Sequence, residues 1–441
     1  MLEHKDFEVQ RLGNCTVPSP LHMSKEDGDG VFNYIEDDER VLMDLSLSNY
    51  RQNRDNNTEP LSFEKAGPKE FIYFDPSKTK VAIVTCGGLC PGLNNVIRGL
   101  VMHLYNRYSV TRIIGIKYGY EGFIPKYKHD VIELHPELVE DIHMHGGSLL
   151  GSSRGPQKVE EIVDALERMN INILFTIGGD GTLRGAQSIT DEIIRRGLKI
   201  GVAGIPKTID NDINFIEKSF GFETAFTIAT DILRGAHNEA KGVYNGISLV
   251  KLMGRDSGFI AANAALAVQE VNYVIIPEME FDLYGPRGFL RELRKRLERK
   301  NHALIVVAEG AGQDLFENHN EQSDKSGNVV YKDIGLFLKD KIMEEFDNKE
   351  FPYTLKYIDP SYIIRSAPAN ANDSLFSNLL AQNAVHAAMA GRTGFVVGYW
   401  NSVFNIMPIP LAVKERKKIS MESELWSDVI ETTGQPVKIK N

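Results

Sequence analysis

The feature that most constrains this chain is a recurring unit: a short apolar run, a glycine-rich turn, then a segment of helical character. Lys80-Val81-Ala82-Ile83-Val84-Thr85 runs into Cys86-Gly87-Gly88-Leu89-Cys90-Pro91-Gly92, followed by the apolar stretch Leu93 to Tyr105. Ile171 to Ile177 ends in Gly178-Gly179-Asp180-Gly181-Thr182, with helical residues 183 to 196 behind it. Continuous apolar runs of this length suit buried parallel strands, which need crossover helices between them. Further runs stand at Arg112 to Lys117, Lys199 to Ile205, Gly246 to Leu252, Asn272 to Ile276, Ala303 to Ala308 and Phe395 to Tyr399. The pattern predicts an α/β fold of doubly wound parallel sheets, with ligands bound at the carboxyl ends of strands.

A chain of 441 residues has room for two or three such domains. Residues 1 to about 70 are weakly periodic and carry runs such as Glu36-Asp37-Asp38-Glu39, so a solvated extension is expected, wrapped on the surface or partly disordered. Gln313 to Val330 is a polar insertion, Arg287 to Arg299 a basic helix with a solvated face, and the tail beyond about 415 peripheral. The formal net charge of −10 argues against nucleic acid or an anionic membrane as partner. Met1 to Gln10 has no apolar core and no run approaches membrane-spanning length, so a cytoplasmic protein is expected. Three cysteines (Cys15, Cys86, Cys90) are too few for a disulfide framework. Cys86 and Cys90 lack the companions of a metal site.

Chemistry concentrates in the turns. A strand, a glycine turn and a helix present backbone N–H groups to a phosphate, although Cys86–Gly92 lacks the Gly-Lys-Ser/Thr of a Walker loop and could be a plain tight turn. The loop His143 to Gly155 carries glycines, hydroxyls and Arg154, whose fork of donors suits a phosphate. In Gly178–Thr182 the aspartate is placed to meet a metal ion. Pro206-Lys207-Thr208-Ile209-Asp210-Asn211-Asp212 puts two carboxylates two residues apart behind a lysine. That suits deprotonation of a hydroxyl close to a phosphate, and equally an Asx-type turn.

These motifs, with Met253-Gly254-Arg255 and Glu309-Gly310, occur in the order seen in 6-phosphofructokinases, and the chain resembles that family from about residue 75 to 410. Thr85 to Asn94 and Val250 to Gly258 look most like the plant and kinetoplastid ATP-dependent group. The resemblance implies two Rossmann-like domains plus an N-terminal extension (1–75). Residues 76–212, with a return near 375–410, would bind nucleotide; 213–370 would bind sugar phosphate; 411–441 would be a tail. It further implies that Asp210 is the base for the sugar 1-hydroxyl, with Arg255 and Lys207 as catalytic cations. Gly87, Gly88, Ser153, Arg154, Gly179, Asp180, Gly181 and Thr182 would hold ATP, and Asp180 the Mg²⁺. Thr208, Ile209, Asp210, Met253, Gly254, Arg255, Glu309, Lys356, Tyr362 and Arg365 would bind fructose 6-phosphate. A homo-oligomer, dimer or tetramer, under allosteric control is implied as well.

The chain departs from the common bacterial pattern at three positions. Gly246 and Lys356 stand where arginines are expected, and Tyr362 replaces a histidine. The alternatives are a pyrophosphate-dependent phosphofructokinase, a lipid or NAD kinase sharing the Gly-Gly-Asp-Gly segment, and a non-catalytic subunit of the same fold. Lys207 is pyrophosphate-like, but Gly181 leaves room for a nucleotide α-phosphate where an aspartate would repel it, which favours ATP.

Overall fold

The computed structural model describes residues 2–316 and 330–441. The chain divides into two compact units. The first comprises Met1–Thr208, Ile213–Gly221 and Ser366–Glu415; the second comprises Ile209–Asp212, Phe222–Arg365 and Arg416–Asn441.

The first unit is built on a nine-stranded mixed sheet. Its centre is parallel, in the order Phe395–Trp400, Gly201–Pro206, Ile173–Gly178, Lys80–Thr85, Arg112–Ile116. These strands are buried almost throughout, which is why they read as unbroken apolar runs. Helices Leu93–Asn106 and Ala371–Met389 pack together, as do Val159–Arg168 and Asp180–Arg195. Val159–Arg168 buries Ile162, Val163 and Leu166 as its 3.6-residue spacing predicts.

The N-terminal residues are not the solvated extension expected of them. Arg40–Leu42 and Ser62–Lys65 add two antiparallel strands to this sheet, paired through Val403–Pro408. Phe7 and Phe63 are 1% and 0% exposed, with ring centroids 5.1 Å apart. Arg392, itself 2% exposed, donates from Nε to Glu64 at 2.9 Å and from Nη2 to Asp37 at 2.8 Å. The acidic residues that looked like a solvated run thus include a partner for a buried guanidinium.

The second unit holds a four-stranded parallel sheet, ordered Tyr273–Ile275, His302–Ala308, Gly246–Leu252, Thr354–Ile358. Phe222–Lys241, Phe259–Val268, Phe289–Lys300 and Ile334–Asn348 pack against it. The basic helix is only half solvated: Phe289, Leu290, Leu293 and Leu297 are buried. The tail is not peripheral either, since Trp426, Val429 and Ile439 are buried and Glu424–Thr433 packs on Phe259–Val268. Most of the polar insertion, 317–329, lies outside the described residues.

Candidate active site

In the first unit three parallel strands end level. The register sets Thr85 beside Ile177 and Gly178 beside Pro206, so the turns after them leave the sheet side by side. The chain leaves Lys80–Thr85 toward one edge of the sheet and Ile173–Gly178 toward the other. The gap between these two strand ends is therefore a topological switch point, the place where open α/β sheets bind ligands.

Both glycine turns border that gap. Gly87 has φ +86, a conformation costly for any side chain. Its N–H donates to the Ser153 carbonyl at 3.1 Å, and its carbonyl accepts from Ser152 Oγ at 2.6 Å. The loop carrying Arg154 is thereby stapled to the turn. A Cβ placed on Gly87 would lie 3.6 Å from Lys207 Nζ, and one on Gly88 would lie 3.4 Å from Arg154 Nη2. Two cations facing bare backbone make a cradle for phosphate oxygens.

The helix expected from residue 183 begins at Asp180, with Gly179 as its cap, so the Asp180 carboxylate sits in the first turn. A Cβ added at Gly181 would meet nothing within 4 Å. Among the described residues no group of three or more His, Cys, Asp and Glu is gathered for a metal. One hard oxygen donor such as Asp180 suits Mg²⁺, which keeps several waters and completes its shell with phosphate oxygens.

The second unit gathers the other predicted residues. Leu252 is in register with Ala308, so Met253 and Glu309 follow side by side. The Glu309 N–H donates to Leu252 O at 2.9 Å and the Gly310 N–H to Gly254 O at 3.0 Å. Arg365 closes the short helix Ser361–Arg365; its Nε lies 3.2 Å from Met253 Sδ and its Nη2 3.7 Å from Glu309 Oε2. The Arg255 N–H donates to Asp210 Oδ2 at 3.4 Å, and Ser257 Oγ to the Asp210 carbonyl at 3.3 Å. Asp210, Met253, Gly254, Arg255, Glu309 and Arg365 thus come together, while Lys207 and Thr208 end the preceding stretch of the first unit.

Burial first, then the negative charges of Asp212 and Glu309, raise the Asp210 pKa to about 7, against the pull of Arg365 and the Arg255 N–H. A carboxyl poised there exchanges a proton at working pH with little driving-force penalty.

Two predicted substrate residues are described by other features. Lys356 pairs with Glu239 of helix Phe222–Lys241, and Tyr362 is 83% exposed. At Gly246 a Cβ would lie 2.1 Å from Ala240 O, so no arginine fits there. Cys86 and Cys90 are buried and form no disulfide, and burial pushes the Cys86 thiol up to about 12. One residue escaped sequence reasoning altogether: Arg416, whose Nη1 donates to Asp212 Oδ2 at 3.0 Å. Nothing in the run Lys414-Glu415-Arg416-Lys417-Lys418 distinguishes it from a solvated cation.

Comparison with known proteins places the chain in a family. A phosphofructokinase family model matches residues 80–388. An ATP-dependent 6-phosphofructokinase of Borreliella burgdorferi is 50% identical over 446 residues, covering 100% of this chain and 99% of its own length. One from Amycolatopsis methanolica is 45% identical, covering 98% and 95%. ATP-dependent 6-phosphofructokinase 1 of Arabidopsis thaliana is 46% identical, covering 86% and 80%. Among solved structures, a pyrophosphate-dependent phosphofructokinase from Marinobacter aquaeolei superposes with a TM-score of 0.66 over 80% of this chain and 91% of its own, at 18% identity, which speaks to the fold alone. The chain belongs to the phosphofructokinase family.

Proposed function

We infer that this protein is an ATP-dependent 6-phosphofructokinase, which moves the γ-phosphoryl group of ATP to the 1-hydroxyl of fructose 6-phosphate and yields fructose 1,6-bisphosphate. Identity over the full chain with relatives named for that activity carries the reading. The open space at Gly181 supports ATP as donor over pyrophosphate.

Asp210 takes the proton of the 1-hydroxyl as the new O–P bond forms and the bond from the γ-phosphorus to its bridging oxygen breaks, releasing ADP. Its depressed acidity makes it a better proton acceptor than an ordinary carboxylate. Lys207, three residues earlier in the chain, and Arg255 offset the charge spreading over the phosphoryl oxygens. Arg154 and the side-chain-free Gly87–Gly88 turn hold the nucleotide phosphates, together with Thr182 in the first turn of helix Asp180–Arg195. Asp180 would hold Mg²⁺, which neutralises phosphate charge when bound. Arg365, Glu309 and the Met253–Arg255 turn bind the sugar phosphate, with Thr208 and Ile209 beside the base in sequence.

Turnover of fructose 6-phosphate by the purified protein with ATP, and separately with pyrophosphate, tests the reading. Activity with pyrophosphate alone would overturn it. We also propose a homo-oligomer, dimer or tetramer, acting in the cytoplasm under allosteric control, with Lys356 reaching substrate at a subunit boundary. Sedimentation of the purified protein tests the assembly. Among the described residues no helix is long and apolar enough to cross a membrane.

A further inference from the structure

We propose that Arg416 is a positioning residue for phosphoryl transfer, holding the loop that carries Asp210 and the turn that faces it in a single arrangement. The inference rests on the function proposed above.

Arg416 Nη1 donates to Asp212 Oδ2 at 3.0 Å and also hydrogen-bonds Asp256 Oδ2. The next residue reinforces the first contact: the Lys417 N–H donates to the Asp212 carbonyl at 2.9 Å. Asp212 is 6% exposed and lies two residues after the base. Asp256 lies one residue after Arg255, whose N–H meets Asp210. One guanidinium thus ties down both stretches that define the surroundings of the base. The Asp256 carboxylate is held from its other oxygen, Oδ1, which accepts from the Tyr331 hydroxyl at 3.0 Å. The Arg255 guanidinium lies over the Tyr331 ring at 4.8 Å from its centroid and has its Nε 3.7 Å from Asp256. The chain Asp212–Arg416–Asp256–Tyr331–Arg255 therefore ends on a residue assigned to the chemistry. A planar guanidinium can serve two carboxylates in a fixed geometry, which a flexible ammonium does less well.

Arg416 touches no substrate in this scheme; it acts through Asp212 and Asp256. Removing its charge leaves two carboxylates without that partner, and both stretches gain freedom where small displacements slow the chemistry steeply.

The test is steady-state kinetics of Arg416→Met, Arg416→Lys and Arg416→Ala beside the wild-type protein, with thermal unfolding of each. We expect kcat in Arg416→Met to fall by about tenfold or more while KM for fructose 6-phosphate stays within about threefold, the signature of lost transition-state positioning. Arg416→Lys should recover part of the rate. Added guanidinium ion should raise kcat of Arg416→Ala and leave the wild type unchanged, an effect that a loss of rate through global destabilisation does not show. An unchanged kcat in Arg416→Met overturns the proposal, and so does a loss that neither lysine nor guanidinium restores. Should the wild type use pyrophosphate and not ATP, the proposed function fails, and the same variants assayed with pyrophosphate still decide on Arg416.

Discussion

The main-chain N–H of Arg255 lies 3.4 Å from Oδ2 of Asp210, so the glycine turn after Gly246–Leu252 meets the carboxylate of the base itself. The first prediction follows from that contact. Asp210→Asn keeps the shape and loses the proton acceptor, so kcat should fall about 10²–10⁴-fold with little change in KM for fructose 6-phosphate. Near-normal kcat would remove Asp210 from the base role.

The second concerns pH. Asp210 titrates near 7 where its ordinary value is 3.8. The charged form is the active one, so kcat/KM should be half-maximal near pH 7, reach its plateau about one pH unit above and decline below. Asp212 contributes to the upward shift, and Asp212→Asn should move the acid limb to lower pH. Substrate ionisations are common to both proteins, so the difference between the two profiles isolates the enzyme group. The raised pKa also means that the fold binds a proton the unfolded chain releases, and stability from this source is lost as pH rises from about 4 through 7. In urea unfolding, the advantage of Asp210→Asn over wild type should therefore grow across that window.

Donor choice gives a third. Gly181→Asp adds a side chain where nothing stands within 4 Å, so the fold should tolerate it and the melting temperature should hardly move. KM for ATP should rise sharply through repulsion at the α-phosphate. Lys207→Met should instead lower kcat far more than it alters KM. Steady-state kinetics with both donors separates the two effects, and an unchanged kcat in Lys207→Met would return the lysine to a structural role.

A fourth addresses the N-terminal residues. Arg392→Met leaves Glu64, 4% exposed, without its buried cation. Loss of one partner of a buried pair costs about 3–5 kcal/mol. The variant should melt well below wild type, and an unaltered melting temperature would show that water replaces the guanidinium.

Legibility from the sequence tracked how each element is buried. Lys80–Thr85 and Gly246–Leu252 were legible to the residue because parallel strands covered on both faces are mostly apolar, Ser248 and Lys251 being the polar members inside the second. Arg40–Leu42, Ser62–Lys65, Thr354–Ile358 and Val403–Pro408 were not, being short or mixed in character, with burial decided by distant partners. The site divided in the same way. Gly87, Asp180, Asp210 and Arg255 sit in turns whose residue types carry the chemistry. Arg416 works only because the fold returns its stretch to Asp212, a long-range pairing that local pattern does not encode.

Strand Ser62–Lys65 has its hydrogen-bonded place in the large sheet beside Val403–Pro408, with Lys65 opposite Asn405, roughly 340 residues later in the chain. At about 5–20 residues per second, a ribosome takes about 17–70 s to deliver that partner. The second sheet, by contrast, draws all four strands from residues between Gly246 and Ile358 and can pair while synthesis continues. The last-made hairpin, Phe395–Trp400 with Val403–Pro408, is thus the keystone for the early-made strands Ser62–Lys65 and Arg40–Leu42. Nascent chains halted before about residue 400 keep the edge of Ser62–Lys65 open, and it is on those chains that a chaperone has work to do.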